Sequence, residues 1–171
     1  MILPSIEFLS NCMAAALLDH YGVDRLPVPI RTFITSPPPD LASDLSLTEG
    51  TSITFCDAVW VRLINGQGVV FLNGNMSEPN RRYAMACALF MGLCATKGGR
   101  AVGLYEAVNA TASNHAERFG RGVLLPVELL PGGWESMPAD DLAKIADVPV
   151  RVVEARLRDL GSRQSLASLN S

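Results

Sequence analysis

Only two histidines, His20 and His115, occur in 171 residues. A metal site that needs several imidazoles therefore has almost nothing to draw on. Charge is also scarce, at 18% of residues, and the net charge of −3 argues against broad nucleic-acid binding by charge alone. No C-x-x-C pair joins the four cysteines Cys12, Cys56, Cys87 and Cys94, which reads as reduced, buried thiols rather than a disulfide framework or a zinc ribbon. No basic, apolar leader opens the chain, because Glu7 interrupts MILPSIEF early, so the expected location is cytoplasmic. The uncharged, largely apolar stretch from Tyr83 to Thr96 spans about 21 Å as a helix, short of the ~20 apolar residues that cross a bilayer. No membrane partner is expected.

What is abundant is apolar surface, with 49% hydrophobic residues. So little charge is left to keep neighbours apart that an interaction face is expected. The segment Arg81 to Leu93, RRYAMACALFMGL, is apolar on every side after its two arginines and predicts a buried central helix. Ser77, Glu78 and Pro79 suit its N-terminus, and Arg81 and Arg82 suit anchors at its start. Before it, Val59, Val61 and Leu63 alternate with Trp60, Arg62 and Ile64. The turn Asn65-Gly66-Gln67-Gly68 and the run Val69 to Leu72 complete a predicted β-hairpin.

The N-terminal periodicity of Ile6, Leu9, Met13, Ala16 and Leu17 predicts a helix over Pro4 to Tyr21, capped by Ser5 and stopped at Gly22, with His20 near its last carbonyls. Five prolines between Leu26 and Gly50 predict an extended connector with one short helix near Asp40 to Leu47. Beyond the central helix, Lys97-Gly98-Gly99-Arg100 reads as a break. A helix is expected from Leu104 to Gly122, with Val108, Ala112, His115, Ala116 and Phe119 on one face. Leu124-Leu125-Pro126 forms a corner, and two short helices follow at Asp140 to Ala146 and Val150 to Leu160, with Gly161 as C-cap. The expected architecture is a single α+β domain over 1–161, a small sheet packed on a buried central helix, with 162–171 as a frayed tail.

In this order the pieces resemble the ImmA/IrrE family of zinc metallopeptidase-like proteins. The resemblance rests on Leu26-Pro27-Val28, the hairpin ending FLNGN, Arg81-Arg82-Tyr83, the A-x-x-F segment of Ala116 and Phe119 with Leu124-Leu125-Pro126, and the closing LAKIADVPVRVVEARLRDLG. It implies a zincin-like scaffold, found in phages, mobile elements or stress responses, whose active members cleave a helix-turn-helix repressor. Active members carry His-Glu-x-x-His on the central helix, where histidines four apart grip one zinc and the glutamate deprotonates its water. Cys87, Ala88 and Met91 stand at those positions here. Ala88 takes no proton and a thioether is a poor zinc ligand. The family's third ligand, a glutamate upstream of the A-x-x-F segment, falls where this chain reads Thr111 to His115, with Glu106 and Glu117 nearby.

The resemblance thus implies a catalytically inactive scaffold, with neither metal nor cofactor, that binds a protein partner, a transcription repressor or another regulator. Two rivals come from other classes. One is a hydrolase using Cys87 as nucleophile and His115 as base, or a metal held by unrecognised ligands, with a soft ion on Cys87, Met91 and His115 as a further form of a metal site. The other is a DNA-binding regulator acting through 140–160, where Arg151, Arg156 and Arg158, with Arg163 just beyond, give a basic flavour interrupted by Glu154 and Asp159.

Overall fold

The computed structural model of the chain describes residues 5–109 and 112–169. Helix α1, Ile6–His20, begins at Ser5, whose Oγ accepts from the Phe8 N–H at 3.2 Å, and ends before Gly22 at φ +58. Both caps match the sequence pattern; Pro4 lies outside the described residues.

The proline-rich connector holds more structure than expected. Helix α2, Ile30–Thr35, buries Ile30, Phe33 and Ile34, and strand β1, Leu47–Gly50, follows. Between them, Pro38 is extended and Pro39–Leu41 makes a single 3-10 turn, in place of the short helix expected from Asp40 to Leu47. The hairpin is present as β2, Ala58–Arg62, and β3, Gly68–Asn73. Strand β1 pairs in parallel with β3, so the sheet order is β1-β3-β2 and β2 is a free edge.

Helix α3, Glu78–Ala95, is the centre of the molecule. It lies between the sheet on one side and α6, Ala112–Leu124, on the other. From Arg82 to Thr96 every residue is buried except Tyr83, Cys87 and Met91, which recur every four residues and form one half-exposed stripe. Arg81 and Arg82 do anchor its start. Arg81 bridges Glu49 of β1 and Glu78, while the buried Arg82 donates to the Val28 carbonyl at 2.7 Å and the Asp147 carbonyl at 2.9 Å. Removing that side chain would leave the buried Val28 carbonyl and the half-buried Asp147 carbonyl without this donor, so it ties three distant segments together.

The stop of α3 is made by Thr96, not by the glycines. Thr96 is extended, its hydroxyl donates to the Leu93 carbonyl at 2.7 Å and accepts from the Gly99 N–H at 3.1 Å, and a short helix α4, Lys97–Ala101, continues through both glycines. Gly99 is required there because a Cβ would collide with the Cys94 carbonyl. The predicted helix from Leu104 appears as α5, Leu104–Asn109, and α6; 110–111 lie outside the described residues. Val108, Ala116 and Phe119 are buried as the predicted face requires, with the Phe119 ring 5.1 Å from that of Phe90.

Helices α7, Ala139–Ala146, and α8, Val150–Leu169, close the chain. Asp147 ends α7 in the left-handed region at φ 52, and Gly161 is internal to α8 instead of capping it. The domain is α+β with a three-stranded mixed sheet, and no helix among the described residues is long and apolar enough to cross a membrane.

Candidate functional site

Beside the accessible stripe of α3 an open pocket of about 530 Å³ runs between α3, α6, α8 and the start of β2. Its room comes from small side chains. Ala58, Ala84, Ala116 and Ala155 each contribute to the wall from a different element. Tyr83 and Cys87 enter from α3, Glu117 and Arg121 from α6, and Arg151 and Arg158 from α8.

Arg121 is the buried member. Its Nε lies 2.8 Å from the Asp159 carboxylate and its Nη1 3.6 Å from Glu117, which fixes the guanidinium against the pocket wall. Arg151, Ala155 and Arg158 stand at i, i+4 and i+7 of α8 and so share one face. Arg151 and Arg158 are exposed.

The aligned trio of the central helix is split by the helix geometry. Cys87 lines the pocket and Met91 lies one turn further along the same stripe, packed against the core, whereas Ala88 is buried. Burial pushes the Cys87 thiol up to about 12; the nearby Tyr83 hydroxyl and Arg121 favour its thiolate and the nearby acids oppose it. Burial likewise raises the Tyr83 phenol, with Cys87 and Glu117 adding to the effect. A thiol so far above neutral pH carries almost no thiolate, which argues against a cysteine nucleophile.

His115 is half-buried and is not part of the pocket lining, although its neighbours Ala116 and Glu117 are. The Cys87 and His115 pair of the rival enzyme reading is therefore not brought together in this pocket lining. Of residues 111–115, where the resemblance put a third ligand, the side chains of 111–113 lie outside the described residues. No group of three His, Cys, Asp or Glu side chains arranged to hold a metal ion occurs among the described residues. The four cysteines are free, but only Cys94 is buried and Cys12 is exposed. Against the expectation of buried thiols, Cys12 is exposed and Cys56 and Cys87 are half-buried. Cys12 falls on the solvent side of α1, where a small apolar residue is tolerated singly.

Sequence reasoning missed Tyr83, Asp57, Arg121, Arg151 and Arg158 as one constellation. The signal was partial: Arg151 and Arg158 are seven apart on a helix, but nothing in the sequence places α6 opposite them.

The edge of the sheet borders the same opening. The Asn73 N–H donates to the Asp57 carbonyl at 3.0 Å, and the Leu63 N–H donates to the Gln67 carbonyl at 2.8 Å. With the register Val59↔Phe71 and Val61↔Val69, residues 57, 59, 61 and 63 turn their peptide groups to β3. Ala58, Trp60 and Arg62 turn theirs outward and have no backbone partner among the described residues. The row of outward donors and acceptors ends at Ala58, which is also a wall of the pocket.

No protein-family model matches the chain, and neither the curated proteins nor the solved structures include one significantly similar to it.

Proposed function

We propose that this protein is a polypeptide-binding scaffold without hydrolytic chemistry, related to the ImmA/IrrE metallopeptidases, and that its partner is a transcription repressor or similar regulator. The observation that carries the proposal is the free edge of β2 running into the pocket beside α3. An extended segment laid along that edge gains main-chain hydrogen bonds to Ala58, Trp60 and Arg62, while one of its side chains reaches the pocket. Cys87 faces the opening together with Ala84 and Ala116, and Met91 lies one turn beyond it on the same stripe, so sulfur and methyl groups stand where an active relative keeps its ligands. Ala88 offers no general base. The partner class is carried by the family resemblance, and the hairpin followed by a buried helix with an anchored Arg-Arg start supports that resemblance.

The test uses a partner recovered with the protein from its native cells. Its binding should slow amide exchange at Ala58, Trp60 and Arg62. Ala58→Pro removes one outward donor without touching a ladder bond, and should weaken binding about tenfold. Unchanged exchange at those three amides defeats the edge-docking reading. One tightly held zinc per chain, lost together with a peptidase activity on chelation, defeats the inactive-scaffold reading.

A further inference from the structure

We infer that the pocket takes a carboxylate, the side chain of an aspartate or glutamate on the docked segment, gripped by Arg151 and Arg158 with Arg121 fixed behind them. The inference rests on the polypeptide-binding reading above and names what that polypeptide must carry.

Three arginines line one pocket in a chain whose net charge is −3. Asp159 and Glu117 already hold Arg121, so it serves as a preset wall charge. Arg151 has no carboxylate within ion-pair distance among the described residues, and Arg158 stands two turns along the same exposed face. Guanidinium groups present paired donors that match a carboxylate edge-on. The four alanine walls leave space for a side chain that reaches down from β2, and Ala58 joins the edge strand to the pocket.

The sign and size of the charge select the ligand further. Asp57 and Glu117 also line the pocket and Asp159 pairs with Arg121, so three carboxylates already face the three arginines. A monoanion reaching Arg151 meets less repulsion from those carboxylates than a phosphate near −2 would.

The experiment is a titration of the intact, isotope-labelled chain at fixed ionic strength, followed by amide shifts. The probes are N-acetylglutamate methylamide, its glutamine counterpart and inorganic phosphate. The glutamate probe should shift Cys87, Arg151 and Ala155 saturably, and the glutamine probe should bind at least about tenfold more weakly. Arg151→Gln combined with Arg158→Gln should abolish the difference. Arg151→Gln alone serves if the pair disturbs folding, and Arg118→Gln, remote on α6 beside Glu7, should leave it intact. Equal binding of the two amides, survival of the preference in both Arg151 variants, or tighter binding of phosphate overturns the inference. These small probes need no strand edge, so a failure here is distinguishable from a failure of Ala58→Pro to weaken partner binding.

Discussion

At the scale of the residue, the thiol of Cys87 decides between chemistry and packing. Gly120 of α6 lies so close that a Cβ there would come within 3.1 Å of its sulfur. Burial holds the thiol near 12, as it does that of Cys94, against an ordinary value of 9.0. At pH 8 the Cys87 thiolate is then roughly a thousandfold scarcer than that of an ordinary thiol. Iodoacetamide should modify the exposed Cys12 well before the half-buried Cys87, and equal rates by peptide mapping would contradict the upward shift of the Cys87 thiol. The same shift has a stability consequence. Between pH 9 and about 12 the folded chain keeps protons that the unfolded chain releases, so stability should be complete below pH 9 and fall as pH rises through that window. Tyr83, also raised by burial, acts in the same direction above pH 10. Urea midpoints at pH 7, 8.5 and 10.5 check this, and Cys87→Ala with Cys94→Ala should flatten the decline.

Among the elements, α3 is pressed between sheet and helix, and glycine sets the spacing on the sheet side. A Cβ on Gly92 would lie 2.8 Å from the Leu45 Cδ2 and 2.9 Å from the Trp60 Cδ1. Leu45 can swing aside, but the Trp60 indole is held by its hydrogen bond to the Asp44 carbonyl at 2.8 Å. Gly92→Ala gains ~1 kcal/mol of helix propensity and loses more to overpacking, so a net destabilisation of ~1–2 kcal/mol is expected. Gly122, on α6 with nothing within 4 Å of its added Cβ, is the control, and Gly122→Ala should stabilise by ~0.5–1 kcal/mol. Denaturant unfolding of the two variants should move in opposite directions. What the sequence revealed of these elements follows from the range of their contacts. The hairpin and α3 carry local signals: a two-residue alternation around Asn65-Gly66, and an uncharged run after Arg81-Arg82. Strand β1 is four residues, LTEG, whose pairing is with a strand more than twenty positions away, and α2 is six residues boxed in by prolines. Neither is long enough to show a period. For the site, the central helix was legible and Cys87 falls on its open stripe, but the pocket is built by α6 and α8 converging on that stripe, which no local pattern records.

Over the whole molecule, the last two helices are part of the core and not an appended module. Arg82 of α3 donates to the Asp147 carbonyl, Arg156 of α8 donates to the Leu125 carbonyl at 3.1 Å, and Arg121 of α6 pairs with Asp159. Leu142, Ala146, Val148, Val152 and Val153 belong to the same hydrophobic cluster as Phe90 and Phe119. Burying each of Leu142, Val148, Val152 and Val153 contributes about 1.5–3 kcal/mol, so the pair supplies a share comparable to the entire net stability of an ordinary domain. A chain cut after residue 138 should therefore lose cooperative unfolding altogether, and residues 139–171 alone should not fold. The intact protein should show one transition, with circular dichroism and tryptophan fluorescence coincident. Two separated transitions, or a stably folded 1–138 fragment, would make α7 and α8 an independent unit and revive a DNA-reading role for them. Deletion is accordingly a poor probe of DNA binding here. Arg151→Gln and Arg158→Gln in the intact chain are the sound test, since loss of two phosphate contacts should lower the salt dependence of any DNA affinity by a slope of about 2. The edge-and-pocket reading expects no such slope to lose.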